Sequence, residues 1–113
     1  MELSINGHKV VGGGTVHTVT PIAGSNVTGT ITYCVTNGVC IMTFEDVAAT
    51  NTGNREVGTV PKAKMSVGHS FTRGVGISCY GYVSQDKLFI DVYVANNGAY
   101  GSMSYPVADD WHE

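Results

Sequence analysis

Asn37 and Gly38 stand between two runs of alternating residues, TITYCVT before them and VCIMTFE after them. Asn-Gly is favoured in two-residue type I′ hairpin turns, because both central positions need positive φ. A two-residue loop here pairs Val35 with Cys40, Tyr33 with Met42 and Ile31 with Phe44, and those side chains form one apolar face. The other face carries Thr30, Thr32, Cys34, Thr36, Val39, Ile41, Thr43 and Glu45. A three-residue loop would set Cys34 opposite Cys40, but it would also put Thr43 against Ile31 and Thr30 against Phe44. A one-residue slip turns a strand's side chains to the wrong face, so burial selects the first register. In that register Cys34 and Cys40 point to opposite faces, which excludes a disulfide or a shared tetrahedral metal ion.

A second hairpin follows the same logic. In GISCYGYVSQDKLFIDVYV, a turn over Ser84 to Lys87 pairs Val83 with Leu88, Gly81 with Ile90, Cys79 with Val92 and Ile77 with Val94. That face is apolar throughout and belongs in a core. The opposite face sets Ser78, Tyr80 and Tyr82 against Tyr93, Asp91 and Phe89. So many rings on a face that should meet water mark a subunit contact or a ligand platform.

The rest of the chain is read around these two hairpins. Residues 1–20 form a lead-in, with a turn signal at Asn6-Gly7 and a joint at Gly12-Gly13-Gly14, and residues 21–113 form a head domain. Residues 46–56 read as a polar loop with Gly53 and Asn54 as turn formers, and Pro61 marks a strand edge. NNGAYGSMSYPV gives a turn and a last strand, and ADDWHE ends the sequence, read as a solvated tail ahead of the alternative that Asp109-Asp110 beside Trp111 and His112 bind a cation or sugar. With 15 glycines and 13% charged residues in 113, the composition favours strands and turns. The expected fold is all-β, a compact antiparallel sandwich or barrel of seven to nine strands in one head domain.

Charge and motifs exclude several functions. A net charge of −3 provides no basic patch for nucleic acid. No apolar run is long enough for membrane insertion, and the first residues lack a signal-peptide pattern. Three cysteines are too few and odd for a disulfide framework, and read as small buried hydrophobes. His8, His17, His69 and His112 have no metal-ligand spacing, so neither metal nor cofactor is expected. No residue sits in a nucleophile motif. GVGISCYGYV lies in a strand with no helix after it, so it is not a phosphate loop. No catalytic residue is assigned, and the chain is expected not to be an enzyme.

The order of features from residue 27 to 107 resembles the C-terminal head domains of phage tail fibres and baseplate receptor-binding proteins. YCVTNGVCIMTF is similar to their opening Tyr-x-x-x-Gly-Asn-x-Val hairpin, with Asn and Gly transposed. VGTVPKAKMS stands where GTLPEGYRP is found, GYVSQDKLFIDVYV resembles the following hairpin, and GSMSYPV resembles the closing strand. INGHKVVGGG is similar to the linkers between shaft and tip. Two departures are Lys64-Met65-Ser66 in place of Tyr-Arg-Pro and Gln85-Asp86 in place of a hairpin glycine.

The resemblance implies a non-enzymatic head at a virion's tail fibre tip or baseplate, made in the host cytoplasm, where thiols stay reduced. It implies a homotrimer, host cell-surface saccharide as ligand, and attachment to other tail or baseplate proteins through the N-terminus. Tyr80, Tyr82, Phe89, Asp91 and Tyr93 then serve the trimer contact or a sugar platform, and the trimer contact is the preferred role. The sugar site is drawn from loops, with His69, Arg73, Asn96, Asn97, Tyr100 and Trp111 as its candidates. The alternatives are a fibre-cap or decoration domain that binds no glycan, and a monomeric carbohydrate-binding module.

Overall fold

The computed structural model describes residues 4–5, 8–9, 15–72 and 76–112. Its strands run in chain order as β1 (Ser4–Ile5), β2 (His8–Lys9), β3 (His17–Thr18), β4 (Val27–Thr36), β5 (Val39–Ala49), β6 (Gly53–Thr59), β7 (Val67–Thr72), β8 (Ile77–Ser84), β9 (Lys87–Val92) and β10 (Ala99–Pro106). β1 and β2 form a small antiparallel ladder of their own, and the other eight strands make one antiparallel sheet in the order β3-β4-β5-β10-β7-β8-β9-β6. The sheet curls into a half-barrel around a single core. Among the described residues no helix is long and apolar enough to cross a membrane.

The first hairpin has the register its burial pattern demands. Ile31 pairs with Phe44, Tyr33 with Met42 and Val35 with Cys40. Asn37 and Gly38 take positive φ of 52° and 75°, the left-handed pair that a type I′ turn requires. Ile31, Cys40, Met42 and Phe44 are buried, while Val39 and Ile41 face out. Cys34, Cys40 and Cys79 are free thiols.

The second hairpin keeps the predicted register from Ser84↔Lys87 to Cys79↔Val92. Its turn lacks the usual glycine, and Gln85 carries the positive φ of 58°. The tip is held from outside, because the Val60 and Ala63 amides donate to the carbonyls of Asp86 and Gln85. The expected Ile77–Val94 pair does not form. A bulge sets Phe71 opposite Cys79 but Thr72 opposite Ile77, which turns Ser78 inward and Ile77 outward. The Tyr93 and Val94 amides both donate to the Ser78 carbonyl. Ser78 is therefore buried, and Ile77 and Val94 are 48% and 47% exposed.

Residues 46–56 are mostly strand rather than loop. Asp46, with φ of 53°, is the extra residue of a bulge opposite Gly29, and beyond it Val47 and Ala49 return to the core. β6 pairs along β9 despite its polar sequence. The Arg55 guanidinium binds the carbonyls of Asn51, Gly53 and Ser25 and the Asn51 side chain, so a polar residue organises this turn.

Two seams separate the halves of the sheet. At one, residues 19–22 run between β4 and β6. The Val19 amide donates to Ile31 (2.8 Å) and the Ile22 amide to Val57 (2.7 Å). A Cβ on Gly58 would lie 2.9 Å from Val19 Cγ1, so the glycine admits the buried Val19. β3 pairs with β4 just before this point, so the sheet takes up the chain ahead of the expected domain division at residue 20. At the other seam β10 pairs along the length of β5, but its ladder with β7 is the single pair Tyr100↔Thr72. Behind this opening the Phe71 ring fills the space left by Gly81 and Gly101, with its centroid 4.3 Å from that of Phe44.

Candidate functional site

The face opposite the core of β7, β8, β9 and β6 carries two cross-strand rows. Ser70, Tyr80, Asp91 and Asn54 are paired in sequence across the four strands, and so are Gly68, Tyr82, Phe89 and Glu56. Paired residues share a face, so the rings form a ladder flanked by an amide and two carboxylates. Tyr82 and Phe89 stack with centroids 5.0 Å apart and planes at 10°. Tyr80 and Tyr82 are 6.1 Å apart. Asn54 Nδ2 donates to the Tyr82 hydroxyl at 2.7 Å. Tyr80 lies across Gly68, where any Cβ would collide with its hydroxyl. Between them is an open notch of about 350 Å³ lined by Ser66, Val67, Gly68, Tyr80 and Tyr82.

Val67 and Gly68 are also one wall of the open seam. The seam forms a groove of about 540 Å³ whose other lining residues are Val39, Ile41, His69, Ser102, Met103 and Ser104. His69 sits on the same side of β7 as buried Phe71 and meets its ring edge-on at 5.7 Å. It is nevertheless exposed, because the sheet parts there.

The loop residues expected to form a sugar site do not meet in one place. Asn96, Asn97 and Tyr100 lie at the start of β10 and the connection before it; Asn97 Nδ2 donates to Ser78 Oγ at 2.6 Å and the Asn96 amide to the Ala49 carbonyl. Trp111 lies beyond the opposite end of β10. Tyr100 to Pro106 spans six residue steps, roughly 20 Å of strand, which keeps Trp111 away from Tyr100. The indole packs partly buried against the core, and the closing segment is tethered rather than free. Lys62 meets Asp110 at 2.9 Å and Lys64 meets Asp109 at 3.3 Å. Lys62 holds the Asp110 carboxyl below the usual carboxylate range. Arg73, and the joint at residues 12–14, lie outside the described residues.

Of the aromatic set, Tyr80, Tyr82, Phe89 and Asp91 come together half-buried on the ladder. Tyr93, at 50% exposed, lies beyond the end of β9, near Ile77 and Val94. Tyr100, 52% exposed, is linked to Ile77 through the Thr72 pairings. Sequence reasoning missed this second exposed group because it follows from the Ser78 bulge. It also misses Asn54 and Glu56, because residues 46–56 read as a polar loop.

The buried groups are not set up for chemistry. Burial pushes the thiols of Cys40 and Cys79 up to about 11, so both are neutral at pH 7 and poor nucleophiles. Burial, and then its hydrogen bond with Cys40, pushes the Tyr105 hydroxyl well above the usual tyrosine range. That hydroxyl donates to the Pro61 carbonyl at 2.9 Å. Among the described residues no three His, Cys, Asp or Glu side chains gather to hold a metal ion.

No family model matches this chain, and no curated protein does. Among solved structures, the head domain of phage bIL170, described with the receptor binding domains of lactococcal phages, is similar to it. The two share 15% identity at a TM-score of 0.59, over 84% of this chain and 99% of that one. The chain thus has the fold of a phage receptor-binding head.

Proposed function

We propose that this chain is the head of a phage or prophage receptor-binding protein, carried on the virion tail, and that it adheres to saccharide on the host cell surface. The shared fold supports the first part. The aromatic ladder is the observation that carries the second. Saccharide recognition needs apolar ring faces beside well-placed polar groups, and Tyr80, Tyr82 and Phe89 lie among Asn54, Asp91 and Glu56. The polar ends of the tyrosines suit this face to wet contact.

Self-association, in the same proposal, uses the other exposed group. Ile77 and Val94 have no polar handle, and with Tyr93 and Tyr100 they offer a patch that another copy would cover. Three copies would repeat the ladder and multiply weak sugar contacts into avidity. This assignment gives the ladder to the ligand and the end of the sheet to the subunit contact. A fibre cap without a ligand, or a monomeric module, would lack one of the two.

Binding of the purified protein to host cells and arrayed glycans tests the reading. Saturable binding that falls at least about tenfold in Tyr82→Ala, with unchanged melting, is the expected result; a tenfold loss is about 1.4 kcal/mol, within the range of one ring contact. Undiminished binding in that variant would remove the ladder from the site. Light scattering tests the assembly, with a mass near three chains expected for wild type and a smaller one for Ile77→Asp.

A further inference from the structure

The aromatic ladder holds a carboxylate that no cation among the described side chains neutralises. Asp91 is half-buried on β9, opposite Tyr80 on β8 and Asn54 on β6. Lys62, Lys64 and Lys87 reach Asp110, Asp109 and Glu56 instead. The Arg55 guanidinium binds carbonyls and the Asn51 side chain. Lys87 shares the outer face of β9 with Phe89 and Asp91, but roughly 13 Å of strand separates it from Asp91. The Asn54 amide also turns to another partner. Its Nδ2 donates to the Tyr82 hydroxyl at 2.7 Å, across the intervening β9.

The surroundings of this carboxylate favour a cation. Directly opposite residues on one face of a sheet lie about 5 Å apart, and diagonal ones about 7–8 Å. Tyr80 is opposite Asp91, Tyr82 is diagonal to it, and Phe89 is next on the same face of β9. An ammonium seated on the carboxylate gains the attraction of the rings beside it. A phosphate or carboxylate in that place meets like charge from Asp91. Tyr80 also joins this position to the open notch, because its hydroxyl lies over Gly68 on β7. Gly68 and β9 are two strand spacings apart, roughly 10 Å, a span that suits linked sugars rather than a single ring.

We propose, given that the ladder is the saccharide site, that it selects glycan carrying a free, protonated amine. One sugar unit enters the notch beside Tyr80 and Tyr82. The ammonium of the adjoining unit pairs with Asp91 among the rings. The ligand class is therefore an amino sugar whose nitrogen is unacetylated, in preference to its N-acetyl, neutral or acidic counterparts. Acetylation removes the charge that Asp91 attracts, and a hydroxyl in place of the amine leaves only a neutral hydrogen bond.

The test uses the whole wild-type chain and a matched set of β-linked trisaccharides that differ only in the group on carbon 2. Tri-glucosamine carries the amine, tri-N-acetylglucosamine the acetamide and cellotriose the hydroxyl. NMR titrations follow the ring resonances of Tyr80, Tyr82 and Phe89 at a pH that keeps the amines charged. Tri-glucosamine should shift them with an affinity at least about fivefold above that of either other sugar. Asp91→Asn, with melting unchanged, should remove that preference. Asp86→Asn, which deletes the same charge at the exposed turn, should keep it. Equal or weaker binding of tri-glucosamine by the wild type overturns the proposal without need of any variant. So does a preference that survives Asp91→Asn or is lost equally in Asp86→Asn, since attraction would then come from overall charge. Equal, Asp91-dependent affinity for acetyl-Lys-Lys-Lys-amide also overturns it, because the face would then be a peptide site. Ladder shifts of equal affinity with all three sugars overturn amine selection and leave the saccharide reading standing. That reading falls by a different result, undiminished glycan binding in Tyr82→Ala.

Discussion

The two seams of the half-barrel solve one problem in different ways. Between β4 and β6, the chain's own residues 19–22 fill the gap, bond to both sides and bury Val19 against Gly58. Between β7 and β10, none of the described residues fills the gap with main chain, and one side chain, Phe71, closes the core from inside. A seam closed by main chain holds its strands at fixed spacing. A seam plugged by a ring protects the core while leaving its strand edges unused. That difference teaches where the fold spends its stability and where it keeps surface available.

The comparison predicts unequal responses to substitution. Phe71→Ala should have the largest effect, about 3–5 kcal/mol, because the ring is buried and fills the space left by Gly81 and Gly101; urea unfolding measures it, and a loss below about 1 kcal/mol would mean that the open seam does not depend on the ring. Gly58→Ala should cost about 1–3 kcal/mol, since the new methyl meets Val19 Cγ1. In a Val19→Ala background that penalty should shrink, and the double-mutant cycle reads the coupling directly. Strict additivity would show that the closed seam is not set by this contact.

The smallest predicted effect is a pH dependence. Cys40 pairs with Tyr105, and Cys79 with Phe71, so both thiols lie behind the open seam. Their folded pKa values, about 11 against an ordinary 9.0, are raised. The stability each contributes is complete below pH 9 and is lost as pH rises toward 11. At pH 10 each thiol should account for about 1 kcal/mol. Melting at pH 8 and pH 10 in wild type and in Cys79→Ala separates one share, and an identical drop in both proteins would assign the alkaline loss elsewhere.

Much of the architecture was legible because it rests on period-two patterns and local turns. Asn37-Gly38 and the alternation around it determined the register of β4 and β5, and the same reasoning placed Tyr80, Tyr82, Phe89 and Asp91 on one face. The misreadings share a cause. Ser78 and Asp46 sit at bulges, where one extra residue reverses inside and outside, and the alternation carries no mark of it. β6 was hidden by GNRE, whose strand character comes from pairing with β9 and from the Arg55 contacts rather than from propensity. Trp111 reads as part of a free tail because Lys62 and Lys64, which tether the neighbouring Asp110 and Asp109, are distant in sequence. The groove was beyond reach for a similar reason: β5, β7 and β10 meet only in three dimensions.

The position of β10 has a consequence for how the protein is made. It is the last of the described strands, yet it lies in the middle of the sheet and touches both halves. Until residues 99–106 leave the ribosome, β5 and β7 have no neighbour on that side, and the two hairpins are separate pieces with bare edges. Closure of the sheet therefore waits for residues 99–106 and depends on pairings distant in sequence, which favours slow closure. A nascent chain halted before Ala99 should display those edges to chaperones, whereas one released after Pro106 can complete the barrel.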